Sequence, residues 1–553
     1  RLGSFAARGG SGLDTEAAAP GGTPGRAPLS DRAALFVFAA FVAVAFPLVL
    51  FELGSYHWFF RDDWFFITLR EGDSLNDIFR PHNVHWSTVP VLAFRSLWQV
   101  FGLRSYVPYQ GSVLLLHLTT VVLLRVIMRR AGVGPWLATA AAGSLVLFGP
   151  GSQNIVWAFQ IGFTASLVFG LVHLLLADHG GGFDRRDGFG LGAGALSLMS
   201  SGIGVTMVIV VGVAVLLRRG WKAAALHTAP LAALYGLWAL VIHPELSSPY
   251  GRPPFEAVVR WVRSGETATF LALGHFRPVA VALAVVLVVG LALACTPGRG
   301  RALRGRAAVP VALLVGAVVL PLITVQGRWI AGDQAARASR YLHLGAVFVL
   351  PALAVAADAL ARRWRIVTVP VVALFLIAVP SNAGDFGGFP FGRNYFDSEQ
   401  QVLATAARMP FARQVPRDVR PIPDVFLSQG LTIGFLLDAA ESGKLRTSSV
   451  DDPVAPKVVN EMRVRLGVAQ RVTQSFPPNC RPVGRGLDLS PPKGTVYLIT
   501  APLTISTRDG TRETSNPVEF NPNNGRQLTI ELADLRLRLK PKGPAAAMVC
   551  PGS

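Results

Sequence analysis

The feature that most constrains this chain is a succession of apolar stretches, each about as long as a bilayer is thick. The first, "RAALFVFAAFVAVAFPLVLFE", begins at Arg32 and is close to the ~20 residues that a membrane helix needs. It carries no cleavage signature and reads as an anchor rather than a removed leader. Others follow at 109–128, 134–150, 160–177, 188–201, 203–217, 223–243, 268–295, 307–327, 341–360 and 366–380, which makes 11 expected spans. The pair at 188–217 is the shortest, because "SSG" splits it. Only 15% of the residues are charged and 51% are hydrophobic, against about 25% charged in soluble proteins. That balance excludes a soluble enzyme, a disordered chain and a collagen-like chain. The expected fold is a mainly α polytopic membrane protein with a C-terminal extracytoplasmic α/β domain.

The net charge of +19 invites a nucleic-acid reading, and its distribution answers it. With a cytoplasmic N-terminus, the expected inner segments hold a net +12, the outer parts of the membrane region +2 and the residues after 380 the remaining +5. The excess therefore records insertion by the positive-inside rule, and no nucleic-acid partner is expected. Eleven spans then place the C-terminal part outside the cell, with the protein a multi-pass component of the plasma membrane.

The expected division is a disordered cytoplasmic tail at 1–32, a membrane domain at 33–380 with a long first outer loop at 54–108, an exported helical connector at 381–455 and an exported β-rich domain at 456–553. In the last, "TVYLITAPLTIST" and "RQLTIELADLRLRLK" alternate between Pro, Asn and Gly breaks, the pattern of a β-sandwich or jelly-roll. Of three cysteines, Cys480 and Cys550 fall in this exported part, where disulfides persist, and are expected to pair. Cys295 lies at the inner end of a span.

The first outer loop is too long and too aromatic for a connector. Residues 86–102 read as a helix lying along the membrane surface. Before it stand Asp62 and Asp63, flanked by Trp58, Phe59, Phe60, Trp64, Phe65 and Phe66. Two carboxylates in such a wall raise one pKa toward a general base's working range. The alternative is an interfacial aromatic belt with solvated acids.

Late in the bundle, "QGRWIAGDQAARASRYLHL" puts Arg328, Arg337 and Arg340 on the outer side, against the charge bias. Arginine forks bind phosphate, and Arg337 and Arg340 share a face if the segment is helical. Snorkelling side chains are the alternative. At another outer rim, Gln153, Asn154, Trp157 and Gln160 offer the amides and flat indole that a sugar site uses, with helix capping and belt packing as the alternative. His85 and Glu245 are candidates to line the same cavity. His82 and His85 have a metal-like spacing, yet two ligands make no site. The chain has no G-x-x-x-x-G-K-[ST], H-E-x-x-H or G-x-S-x-G motif, so nucleotide-driven transport has no visible support.

Taken together, the segments "FRDDW", "PHNVHWS", "GPGSQNIVWAFQIGF" and "ASRYLHL" resemble the GT-C superfamily of integral membrane glycosyltransferases, in its actinobacterial members. The resemblance covers about residues 33–380 and rests on topology and the position of the acids. It implies a polyprenyl-phosphate sugar donor, a cell-envelope glycan or glycolipid acceptor and inversion at the sugar carbon. It further implies that Asp62 or Asp63 is the base, Asp62 leading by position, and that Arg340, then Arg337, holds the donor phosphate. No metal ligand set is evident, which leaves a need for a divalent cation open. The competing class is a transporter or flippase of lipid-linked sugars. Transporters place ionisable groups near the midplane, where this chain puts His117, His173 and His227, whereas its acidic residues crowd at the span ends.

Overall fold

A computed structural model describes residues 27–55, 57–70, 74–242, 251–295, 305, 307–388, 393–424, 426–445, 454–472, 480–510, 512–543 and 547–551. The expected N-terminal tail, apart from its last residues, therefore lies outside the described residues.

The chain opens with α1 (Ala27–Leu48). After it come α2 (Asp62–Thr68), α3 (Leu75–Phe79) and α4 (Thr88–Phe101) of the long first loop, then α5 (Val107–Arg130), α6 (Pro135–Val146), α7 (Gln153–Val156) and α8 (Ile161–Ala177). The bundle continues through α9 (Arg185–Leu198), α10 (Ile203–Arg219), α11 (Trp221–Ile242), α12 (Phe255–Gly274), α13 (Arg277–Cys295), α14 (Ala308–Arg328) and α15 (Ser339–Arg363), and closes with α16 (Thr368–Leu376) and α17 (Val379–Gly384).

Eight helical segments among the described residues are long and apolar enough to cross a membrane. Each of the 11 expected stretches is helical, but α6, α9 and α10 have only 12, 14 and 17 residues. They fall short of ~20 residues and are held by packing inside the bundle, where α6 buries Leu137, Leu145 and Val146 and α10 buries Met207, Val210 and Val211.

The stretch expected at 268–295 is not one helix. His275 adopts φ 56°, a left-handed conformation that stops α12 and turns the chain into α13. α12 is amphipathic and lies across one end of the bundle. Its Ser264 bonds Asp333 O at 3.0 Å, and His275 just beyond it lies 3.2 Å from Asn382 Oδ1.

Contacts separate the two ends of the bundle. At one end Arg129 pairs with Asp31, Arg130 donates to Leu175 O, and Asp358 accepts from Gly134 N. At the other, Gln110 reaches Gly54 O and Asn154 reaches Arg340 O. Asp62 and Asp63 stand at this second end.

Beyond the bundle, α18 (Arg393–Ala406), α19 (Ile433–Glu441) and α20 (Pro456–Gly467) lead into ten strands. The part expected as β-rich from 456 thus opens with a helix. Met462, Val464 and Leu466 are buried and dock α20 on the strands. The strands form two antiparallel sheets, with order β1-β8-β4-β10-β2 and β3-β9-β5-β6, β7 pairing β5. The strands are β1 (Val468–Arg471), β2 (Arg481–Pro482), β3 (Leu487–Leu489), β4 (Val496–Ile499), β5 (Leu503–Asp509), β6 (Arg512–Glu513), β7 (Val518–Phe520), β8 (Gln527–Ile530), β9 (Leu537–Pro541) and β10 (Met548–Pro551). Leu498, Ile499 and Leu528 from one sheet and Leu503, Ile505 and Leu537 from the other are buried, as in a sandwich. Cys480 and Cys550 are joined by a disulfide.

The loop between α1 and α5 and the C-terminal part share one apolar core. Trp58, Phe59, Phe60, Trp64 and Phe94 pack in it with Phe396, Leu403, Leu436 and Val464. The loop's aromatics are therefore mostly core residues rather than a membrane belt. Backbone bonds seal the join, from Arg61 N to Leu427 O at 3.2 Å and from Leu103 N to Lys444 O at 2.6 Å. The C-terminal part thus forms a roof over the acidic loop.

Candidate active site

The two acids are adjacent in sequence and opposite in setting. Arg61 caps α2 with φ 49° and ψ −112°, a conformation that a side chain rarely adopts and that stores strain beside the pair. Successive helical residues point about 100° apart. Asp63 therefore enters the core while Asp62 stays partly exposed.

Asp63 is fully buried. Its Oδ2 accepts from Phe60 N at 3.1 Å, Tyr106 Oη at 3.2 Å and Trp157 Nε1 at 3.2 Å. Its Oδ1 is buried without a hydrogen-bond partner. Burial pushes the Asp63 carboxyl well above the usual carboxylate range, with the neighbouring Asp62 adding to the rise and the hydrogen bonds from Phe60 N and Tyr106 opposing it. Tyr106 Oη in turn accepts from Ala158 N at 2.9 Å. Asp63 is thus the hub that ties α2, the start of α5 and the segment after α7.

Asp62 keeps 22% of its side chain exposed, and its Oδ1 lies 3.0 Å from His82 Nε2. His82 is buried, with its ring against Phe65, Phe66 and Phe159 at centroid distances of 4.5, 5.2 and 5.2 Å. Its Nδ1 has no partner. Against the Asp62 carboxylate oxygen, which can only accept, Nε2 is the donor. The tight turn from His82 to His85 closes by two backbone bonds of 3.0 Å and is allowed by Asn83 at φ 53°. Asn tolerates this region better than most residues.

His85 lies at the other end of that turn. Its Nδ1 accepts from Gly202 N at 3.2 Å. Burial pulls His85 down to about 4, with further lowering by Arg328, His82 and Arg340. The ring is therefore neutral near pH 7, and two of the expected phosphate-binding arginines are close enough to act on it.

The arginines divide. The short turn Asp333–Arg337 ends at Arg337, and Ala338 at φ −58°, ψ 137° is extended, so α15 starts afresh. The expectation that Arg337 and Arg340 share one helical face fails for that reason. Arg337 Nε bonds Ser264 Oγ at 2.8 Å. Arg340 donates to Gln153 Oε1 at 3.2 Å, and its guanidinium lies 5.1 Å from the Tyr341 ring centroid. Arg328, the last residue of α14, is exposed and makes no hydrogen bond or ion pair among the described residues.

The amide and indole rim turns mostly inward. Asn154 is fully buried, bonding Arg340 O at 3.0 Å and His343 Nδ1 at 3.3 Å. Trp157 spends its N–H on Asp63, and Gln160 is buried. Glu245 lies outside the described residues. The residues that sequence reasoning did not select are Tyr106 and, as partner of Asp62, His82, while Gln153, read with the amide rim, instead holds Arg340. The His82/His85 spacing was a signal, but for the wrong chemistry. Among the described residues, the group close enough to share a metal ion is His179, Asp184 and Asp187, at the far end of the bundle, where Arg219 and His227 already occupy Asp187 at 2.6 and 2.9 Å.

No family model matches the chain. No curated protein matches it. Among solved structures, the apo crystal structure of ArnT from Cupriavidus metallidurans is similar at 14% identity and a TM-score of 0.40, over 70% of this chain and 82% of that one.

Proposed function

We propose that this protein is an inverting membrane glycosyltransferase that moves a sugar from a polyprenyl-phosphate donor to a cell-envelope glycan or glycolipid on the outer side of the membrane. The observation that carries the reading is the partly exposed Asp62 held 3.0 Å from His82, on the same end of the bundle as Arg328 and Arg340, whose charges both act on His85.

On this reading, Asp62 accepts the proton of an acceptor hydroxyl, oriented by the His82 N–H. The hydroxyl oxygen then attacks the anomeric carbon on the face opposite the phosphate. The carbon–oxygen bond to phosphate breaks, and its electron pair leaves with the polyprenyl phosphate. Arg340, held by Gln153 and Tyr341, and the exposed Arg328 neutralise that phosphate. Asp63 positions α2 rather than reacting, since all three of its donors are internal. Residues 33–380 then form the transferase unit, 54–108 its catalytic loop, and 381–455 with 456–553 its outer roof, with the N-terminus cytoplasmic. Asp62→Asn and Asp63→Asn, assayed with a radiolabelled polyprenyl-phosphate sugar in membranes, test this. Full activity in Asp62→Asn refutes the base assignment.

A second reading, a transporter or flippase, draws on the buried pairs His117–His343 at 2.9 Å and His173–His227 at 3.0 Å, since buried ionisable groups in spans mark translocation paths. Lipid-linked sugar crossing vesicles without transfer favours it.

A further inference from the structure

The end of the bundle opposite Asp62 carries a second concave site. Arg130 ends α5, Asp178 caps α8, Arg186 stands in the first turn of α9 and Arg218 in the last turn of α10. Together with Leu175, Leu176 and His179 they line a cavity of about 500 Å³. A smaller adjoining cavity shares Arg130, Leu175, Asp178 and Arg218 and extends it to apolar Ile127, Leu174 and Val309.

The charge here is not balanced as it is nearby. Other arginines at this end are neutralised: Arg129 by Asp31, Arg219 by Asp187 and Arg362 by Asp358. In the cavity, Arg218 holds Asp178 at 2.6 Å. Arg130 spends one N–H on the Leu175 carbonyl. The Arg186 guanidinium has no hydrogen bond or ion pair among the described residues; only its backbone N is engaged, by Asp184. Three guanidinium groups thus face one carboxylate in a concavity. Insertion by the positive-inside rule needs basic residues at this end but needs no pocket that gathers them. A concave cluster of one sign focuses field on a counter-ion, and arginine forks match phosphate oxygens.

The depth identifies the source of the phosphate. Trp136 and Trp221 are large exposed rings at this same end, and indole rings lie at headgroup level. The leucine wall beneath suits the start of an acyl chain. We propose that Arg130, Arg186 and Arg218 bind the phosphate of an anionic phospholipid in the leaflet opposite Asp62, a site separate from that of the sugar donor and independent of the transferase reading.

The test uses the full chain purified in neutral detergent, with lipid retention counted by native mass spectrometry. Phosphatidylglycerol, phosphatidylcholine and inorganic phosphate are the three probes. The expected result is retention of phosphatidylglycerol over phosphatidylcholine, with inorganic phosphate unable to displace it at equal concentration. Arg186→Gln, whose side chain makes no internal bond to lose, should weaken retention roughly fivefold, the worth of one arginine at a membrane surface. The triple change of Arg130, Arg186 and Arg218 to Gln should abolish it. Equal retention of the two lipids overturns the proposal, as does unchanged retention in Arg186→Gln. An equal loss in Arg363→Gln, elsewhere on the same end, also overturns it by showing general surface charge. Displacement by equimolar inorganic phosphate overturns the lipid assignment in favour of the free anion.

Discussion

Asp62 Oδ1 lies 3.0 Å from His82 Nε2 on a side chain that stays partly exposed, while Asp63, the next residue, is sealed in the core on three internal donors. One acidic doublet therefore does two jobs.

The division predicts opposite phenotypes. Asp62→Asn should lower transfer by ~10²- to 10⁴-fold, the worth of a positioned general base, with thermal unfolding unchanged. Asp63→Asn keeps an acceptor for Tyr106 and Trp157 and should fold. Asp63→Ala leaves those buried donors unmatched, at ~1–3 kcal/mol for each group, and should melt early. Transfer and melting measured on the same three variants check the assignment. Early melting of Asp62→Asn with normal Asp63→Ala would reverse it.

Arg340 and Gln153 should differ in degree. A charge-assisted hydrogen bond is worth ~1.5–3 kcal/mol, so Arg340→Ala should weaken donor binding by ~10- to 100-fold. Gln153 only aims the guanidinium, through its Oε1 at 3.2 Å. Gln153→Ala should therefore cost less, and Arg340→Lys should fall between. Donor titration of the three variants checks the order.

Stability should depend on pH through the roof. Burial pushes Glu399 up to about 7, with Arg465 opposing and Asp424 adding to the rise. Its folded pKa lies above the unfolded value, so the neutral form suits the fold. That contribution is full below the unfolded pKa of ~4.3 and is lost as pH rises through 7. The melting temperature should fall by a few degrees between pH 5.5 and 8, and Glu399→Gln should flatten the slope. A melting temperature that rises with pH in both proteins would exclude this source.

The disulfide should matter to the roof alone. Cys480 and Cys550 are 70 residues apart, and closing such a loop is worth ~4 kcal/mol in the chain-entropy account. β10 lies between β4 and β2, so Cys550→Ser loosens a shared strand. The outer domain should melt several degrees lower, while far-UV helicity persists. Melting with and without reductant gives the comparison.

The sequence by itself determined the helices of the bundle, the charged and uncharged ends, the acidic pair and the two-sheet character of the chain's end. These are local properties. Apolar length, alternation and charge at span ends can be read without knowing what packs against what. Only the tertiary structure decided which acid is open, because Asp63 is sealed by Tyr106 and Trp157, 43 and 94 residues away. It also separated Arg337 from Arg340 through one extended residue, Ala338, and turned Asn154 inward onto α15. The aromatic loop could be read as a belt because the residues that bury it, Phe396 and Leu436 among them, lie more than 300 positions later. Burial depends on such distant partners, and periodicity carries no record of them.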